Sequence, residues 1–133
     1  MRITLGLCLL LGPFRPLGAA PPPPVIVLAG GGPEGDLGDA SAWSAGLYRA
    51  LLEGGDRNGD GRVVVAVLTR AERPTDFIPR YFRWLGADEA YNVSVPERTQ
   101  AESPFAAEAL LRADAVFIKG GDQGAYYDAW RDT

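Results

Sequence analysis

The segment KGGDQ, Lys119–Gln123, has the residue types and spacing best suited to chemistry in this sequence. Gly120 and Gly121 let the backbone turn tightly and bring its N–H groups close to a ligand. Such donors form an oxyanion hole when they face an oxygen that gains negative charge during a reaction. Asp122 and Gln123 add a carboxylate and an amide at the same place. An ordinary strand-to-helix turn with Asp122 as the helix N-cap explains these residues equally well.

A second glycine-rich segment, Gly30–Gly32, follows the apolar run Val25–Ala29. The backbone N–H groups of such a turn can bind an anion. The spacing departs from the G-x-G-x-x-G pattern of dinucleotide-binding proteins, and Pro33 lies inside the turn. A plain tight turn and a binding loop both remain open, and in the second case Gly31 and Gly32 bind substrate.

The segment DRNGDGR, Asp56–Arg62, resembles the beginning of a calcium-binding EF-hand loop. The twelfth position of that loop needs a glutamate that binds calcium through both oxygens, and this sequence has Val67 there. We therefore predict a polar turn without a metal. A calcium-stabilised extracellular domain that uses Asp56, Asn58 and Asp60 is the alternative.

The composition excludes several kinds of catalytic site within these 133 residues. There is no histidine and Cys8 is the only cysteine, so the chain forms no Cys/His zinc site, internal disulfide or serine–histidine pair. Ser44 in AWSAG resembles half of a nucleophile elbow, but it falls inside a predicted helix, which indicates helix surface or packing. The net charge of −4 gives no basic surface for nucleic acid. No cofactor is expected.

The first 24 residues are typical of an export signal followed by a spacer. Arg2 precedes the apolar stretch Ile3–Gly12, which is too short to span a bilayer as a helix, and small residues follow at Gly18–Ala20. We interpret residues 1–20 as a signal peptide that is removed on export, and residues 21–24 as a stiff polyproline spacer. The protein is then secreted or periplasmic and free of the membrane. A cytosolic domain behind a misassigned start codon is the alternative.

Apolar strands alternate with helical segments from Val25 onward. Four strands are predicted: Val25–Ala29, Arg62–Leu68, Ala90–Val95 and Ala115–Lys119. Apolar strands joined by helices favour a parallel sheet with helices on both faces. Ligands bind at the carboxyl ends of the strands in such sheets, and both glycine-rich segments lie at that edge.

Helical periodicity predicts which residues of the first two helices face the core. The expected buried faces are Trp43, Leu47, Ala50 and Leu51 in the first helix, and Phe77, Tyr81 and Leu85 in the second. Asp39 or Ser41 is expected to cap the start of the first helix. Gly86 is expected to end the second, and Ser103 followed by Pro104 to begin a later one.

Three segments, in their order along the chain, resemble the cyanophycinase and peptidase S51 family: VIVLAGGGPEG, FIPRYFRWLGADEAYNV and LLRADAVFIKGGDQGAYYDAW. The resemblance extends from Val25 to the last residue, and GGDQ is closer to the cyanophycinase branch than to the dipeptidase branch. It implies a flavodoxin-like α/β fold of the class I glutamine amidotransferase type. It also implies a serine peptidase that hydrolyses peptide bonds at aspartyl residues, including β-linked aspartyl-arginine.

The resemblance also assigns roles to particular residues. The backbone of Gly121 and Asp122 is implied to form part of the oxyanion hole, and Gln123 is implied to bind substrate. The nucleophile turn G-T-S-A-G-A and the histidine of the family do not occur in these 133 residues. We therefore expect residues 25–133 to be a truncated, amino-terminal part of such a domain, catalytically incomplete as given. The expected partner is a peptide substrate, and a homodimer is a possible assembly. The alternative function is a non-catalytic ligand-binding module that retains the cleft.

Overall fold

The computed structural model describes residues 26–27 and 35–133. Within them, helices and strands follow in the order α1 (Trp43–Glu53), β1 (Val64–Thr69), α2 (Phe77–Leu85), β2 (Glu89–Ser94), α3 (Arg98–Ala101), α4 (Pro104–Leu111), β3 (Ala115–Ile118) and α5 (Gln123–Trp130). The last three predicted strands are confirmed, and α3 has no counterpart among the predicted elements. Of the predicted strand Val25–Ala29 the structure describes only Ile26 and Val27, which are not in a strand; its other residues, the signal peptide and the spacer lie outside the described residues.

The three strands form one parallel sheet in the order β2-β1-β3. Val65 in the central strand pairs with Ala90 of β2 on one side and with Ala115 of β3 on the other. The chain thus runs from β1 outward to β2 and then returns past β1 to β3. The predicted parallel α/β class is confirmed for this part of the chain.

The central strand β1 is buried on both faces of the sheet. Val65, Ala66 and Val67 have no exposed surface, because alternate side chains of a strand point to opposite faces and helices cover both. Val65 and Val67 pack against α1 and α2, through the side chains of Tyr48, Leu52, Ile78, Tyr81 and Phe82. The predicted strand burial is therefore confirmed.

The opposite face of the sheet packs against α4 and α5. Ala66 and Val93 contact a second cluster there, which includes Ala106, Leu110 and Trp130. The indole N–H of Trp130 donates to the carbonyl oxygen of Val95 at 2.9 Å, which ties α5 to the end of β2. None of the helices in the described ranges is long and apolar enough to cross a membrane.

The predicted faces of α1 and α2 are confirmed in part: Tyr81 is fully buried, and Leu47, Leu51 and Leu85 are partly buried against the core, whereas Trp43 and Phe77 are exposed. The buried residues of α1 are Ser44, Ala45, Tyr48 and Leu52, and those of α2 are Ile78, Pro79, Tyr81 and Phe82. Half of the Trp43 side chain is exposed, at 50%. The reason is the contact between the two helices, where the Tyr48 ring stacks on the Phe82 ring with centroids 4.7 Å apart. This stacking places Tyr48 and Phe82 in the core, whereas periodicity alone favours Trp43 and Phe77.

The predicted helix ends are confirmed where they depend on the local chain. Gly86 ends α2 with φ of 117°, a left-handed conformation that side chains disfavour, and the Ser103 hydroxyl accepts from the N–H of Ala106 at the start of α4.

The predicted cap of α1 is wrong, because the N-cap is Ala42 and has no side-chain bond. The Asp39 carboxylate instead accepts from the hydroxyl of Ser41 at 2.6 Å and from its N–H at 2.9 Å. These two bonds, the hydroxyl's first, lower the pKa of Asp39.

Candidate functional site

A crevice opens between the carboxyl ends of β1 and β3, where the chain changes direction within the sheet. Its volume is about 350 Å³, which lies within the range of roughly 300–1,000 Å³ typical of small-molecule sites. Ligands bind at such positions because the loops that leave the two adjacent strands diverge to opposite faces of the sheet. The lining residues are Thr69, Arg70, Ala71, Lys119, Gly120, Gly121, Asp122 and Tyr126.

The segment after β3 forms one wall of the crevice. The N–H of Lys119 donates to the carbonyl oxygen of Leu68 at 3.0 Å, which continues the pairing of β3 with β1 up to the glycines. The Asp122 carboxylate accepts from the N–H groups of Gly124 at 2.9 Å and Ala125 at 3.3 Å. Asp122 is therefore the N-cap of α5, as the simpler interpretation of this segment predicts.

The side chain of Tyr126 returns from the first turn of α5 and holds the glycine turn. Its hydroxyl lies 2.8 Å from the carbonyl oxygen of Lys119 and 3.3 Å from that of Gly120. A phenol has one proton to donate, so the shorter contact is the stronger bond. The Tyr126 ring packs against the Trp130 ring with centroids 4.5 Å apart. The hydroxyl is thereby held against the turn.

The position of the Tyr126 ring explains the second glycine of the turn. A Cβ added to Gly121 would lie 2.9 Å from the Tyr126 hydroxyl oxygen and 3.0 Å from ring carbon Cε2. A Cβ added to Gly120 would meet no atom within 4 Å. Neither glycine is among those with positive φ. Gly121 is therefore required by the close approach of the ring and not by a left-handed backbone.

Four backbone donors in the turn have no partner among the residues that the structure describes. The N–H groups of Gly120, Gly121, Asp122 and Gln123 donate to no group in the part of the chain that the structure describes. In a planar trans peptide the N–H points opposite to the preceding carbonyl. Because Tyr126 binds the carbonyls of Lys119 and Gly120, the N–H groups of Gly120 and Gly121 point away from its hydroxyl. They are available to an oxygen atom of a ligand.

The segment after β1 forms the other wall. The Thr69 hydroxyl accepts from the N–H of Ala71 at 3.2 Å, and Nε of Arg70 donates to the carbonyl oxygen of Pro96 at 3.1 Å. This bond holds the Arg70 side chain beside the crevice. Lys119 makes no salt bridge with the residues described, whereas the Asp122 carboxylate is engaged with α5. The described lining residues thus carry two positive charges, on Arg70 and Lys119, and one negative charge, on Asp122, although the whole chain is acidic.

The residues predicted from sequence are only partly brought together. Gly121 and Asp122 line the crevice, whereas Gln123 is exposed at the first residue of α5 and is not part of the lining. Gly31 and Gly32 lie outside the described residues. The turn donors that the sequence predicts are present, but their role in an oxyanion hole stays a prediction.

Sequence reasoning missed Arg70 and Tyr126. Arg70 follows β1 directly. Ligands of parallel sheets bind where the order of the strands reverses, so Arg70 becomes a candidate once the strand order is known. Tyr126 lies four residues after Asp122, one helical turn later, which is the spacing that returns a side chain toward the start of its helix. Ser44, which in the sequence resembles half of a nucleophile elbow, is fully buried in α1, and this confirms the packing interpretation.

The polar loop Asp56–Arg62 lies before β1, at the opposite end of that strand from the crevice. Its side-chain oxygens accept bonds from the loop's own backbone: Asp56 from Gly61 at 3.2 Å, Asn58 from Asp60 at 3.0 Å and Asp60 from Arg62 at 2.8 Å. No group of three histidine, cysteine or acidic residues within the described ranges is placed to hold a metal. Val67, at the position of the missing glutamate, is fully buried in β1.

We expect calcium to leave the melting temperature of the protein unchanged to within about 1 °C, since only a ligand that binds the folded state raises it. Thermal melts with and without millimolar calcium measure this effect. Asp60→Ala is the control, because it removes a carboxylate that an EF-hand loop needs. A clear rise in melting temperature with calcium that Asp60→Ala abolishes would contradict the polar-turn interpretation.

Comparison of the chain with models of protein families, with curated proteins and with solved structures finds no match. The resemblance to the cyanophycinase and peptidase S51 family therefore stays a prediction from its three segments.

Proposed function

We propose that this domain binds aspartyl peptides in the crevice between β1 and β3, and that the GGDQ turn supplies oxyanion donors in a serine peptidase site of the cyanophycinase and peptidase S51 type. One observation carries the proposal. The turn lies where the chain reverses within the sheet, with four consecutive N–H groups that have no partner among the described residues. Such donors stabilise the negative oxygen of the tetrahedral intermediate in acyl transfer.

The sheet supports the finer fold assignment that the proposal needs. The parallel order β2-β1-β3 places a reversal of the strand order beside β1, and in open α/β sheets of the flavodoxin type the ligand site lies at such a reversal. The crevice occupies that position. A flavodoxin-like fold of the glutamine amidotransferase type accounts for both features and is part of the proposal.

The charges around the crevice support a substrate with a carboxylate. Arg70 and Lys119 line it, and the one acidic lining residue, Asp122, already accepts two backbone bonds. A substrate carboxylate next to the scissile carbonyl gains from both cations. In β-aspartyl-arginine the aspartyl end therefore faces the crevice, and the arginine end extends toward the acidic remainder of the surface.

The chain as given has no histidine, and this observation favours a second candidate function. A serine nucleophile is activated by an adjacent base, usually histidine. In the second candidate, the domain binds aspartyl peptides without cleaving them. Both candidates predict binding in the same crevice.

We expect the 133-residue chain to bind β-aspartyl-arginine dipeptide without hydrolysing aspartyl peptides. In a titration of the ¹⁵N-labelled chain, the backbone signals that move should be those of Thr69–Ala71 and Lys119–Asp122. The dipeptide β-alanyl-arginine is the matched control, because it lacks the aspartyl carboxylate. It should bind about fivefold or more weakly, since hydrogen bonds to charged groups contribute roughly 1.5–3 kcal/mol before screening.

Two results would contradict the proposal. The binding site would be wrong if the shifted signals lay away from the crevice or did not move at all. Turnover of an aspartyl peptide that a serine-directed inhibitor abolishes would show that the 133 residues are catalytically sufficient.

A further inference from the structure

We propose that Tyr126 is a positioning residue whose hydroxyl fixes the direction of the Gly120 and Gly121 N–H groups toward the ligand. The inference rests on the proposed function for what the donors bind, but the orientation itself is a property of this chain. It concerns a residue outside the GGDQ motif, one helical turn into α5.

The restraint is needed because the turn has little else to hold it. Glycine has no side chain, so the peptide group between Gly120 and Gly121 rotates more easily than one between larger residues. The N–H groups of both glycines lack partners in the described part of the chain. Among the residues described, the Tyr126 hydroxyl is the only group that contacts the carbonyl oxygens of Lys119 and Gly120.

A rotation of this peptide group exchanges the positions of its N–H and its carbonyl. The carbonyl oxygen of Gly120 then faces the ligand, and a negatively charged oxygen is repelled instead of bound. The Tyr126 hydroxyl opposes this rotation, because its 2.8 Å bond anchors the adjacent Lys119 carbonyl and the rotated state also loses the 3.3 Å contact with the Gly120 carbonyl. The Trp130 ring holds the Tyr126 ring in place, and Trp130 is itself bonded to Val95.

Tyr126→Phe in the 133-residue chain tests the proposal, since it removes the hydroxyl and keeps the ring. Tyr127→Phe is a matched control, because Tyr127 is the next residue of the same helix and its hydroxyl, among the residues described, accepts only from Arg131, at 2.8 Å. We expect the backbone signals of Gly120 and Gly121 to shift or double in Tyr126→Phe and to stay unchanged in Tyr127→Phe. Affinity for β-aspartyl-arginine should fall about threefold to tenfold in the first variant alone.

Unchanged glycine signals in a folded Tyr126→Phe variant would overturn the proposal. If that variant does not fold, the unsubstituted chain decides the question. A slowly exchanging Tyr126 hydroxyl proton supports the proposed bond, and rapid exchange with water overturns it. If the unsubstituted chain fails to bind the dipeptide, the proposed function fails, while the glycine signals still decide the role of Tyr126.

Discussion

Replacing Phe82 by alanine should lower the free energy of unfolding by about 3–5 kcal/mol, the typical cost of removing a buried aromatic side chain. Phe82 has no exposed surface. Its ring stacks on Tyr48 and meets the edge of Phe117, with centroids 4.7 Å and 5.4 Å apart. It therefore joins α1, α2 and β3, and its loss leaves a cavity at the contact of these three elements. Since small domains are stable by only about 5–15 kcal/mol, much of the chain should be unfolded at 37 °C.

Phe105→Ala provides the matched control for this experiment. Phe105 lies in α4 with 65% of its surface exposed, so the same substitution should change the free energy of unfolding by no more than about 0.5 kcal/mol. Urea denaturation followed by circular dichroism measures both variants. Similar losses in the two variants would show that the core is not centred on the contact between α1 and α2.

Replacing Gly121 by alanine should weaken the binding of β-aspartyl-arginine about tenfold to thirtyfold. The added Cβ would lie 2.9 Å from the Tyr126 hydroxyl oxygen, so the ring must move and its bonds to the turn are lost. The lost hydroxyl bond is worth roughly 1 kcal/mol, and the displaced ring also moves the turn, so the total loss of about 1.4–2 kcal/mol exceeds that of Tyr126→Phe and corresponds to this change in affinity. Where the turn belongs to a complete peptidase site, loss of one oxyanion donor typically lowers turnover about a hundredfold to a thousandfold.

Gly120→Ala is the control within the same turn, since a Cβ at that position meets no atom within 4 Å. Its affinity for the dipeptide should stay within about twofold of the unsubstituted chain, because surface substitutions without new contacts have small effects. Thermal melts of both variants separate loss of binding from loss of fold. If Gly120→Ala and Gly121→Ala weaken binding equally, the ring of Tyr126 does not determine the shape of the turn.

Several features of the fold follow from short stretches of sequence. The apolar run at β1 predicts a strand buried on both faces, and the structure has Val65, Ala66 and Val67 fully buried. Gly86 predicts the end of α2, because only its lack of a side chain makes φ of 117° inexpensive. These predictions succeed because the responsible interactions lie within a few residues of each other.

The faces of the helices depend on which element each helix meets. Periodicity favours burial of Trp43, but Tyr48 is buried because its ring stacks on Phe82, a residue more than thirty positions away. No local pattern contains that partner. The cap predicted at Asp39 or Ser41 was wrong for a related reason, since the two side chains bond each other before the helix begins at Trp43.

By itself, the sequence determined that a glycine turn with an Asp122 cap follows an apolar strand, because glycines and a capping carboxylate act on their immediate neighbours. Only the tertiary structure decided what the turn faces. Arg70 lies across the crevice because β3 pairs with β1, and that pairing joins segments about fifty residues apart. Gly121 is required because the Tyr126 ring occupies the space of a side chain. The first contact depends on the packing of the whole sheet, and the second depends on the Trp130 ring, which packs against the Tyr126 ring and is itself bonded to Val95 of a distant segment.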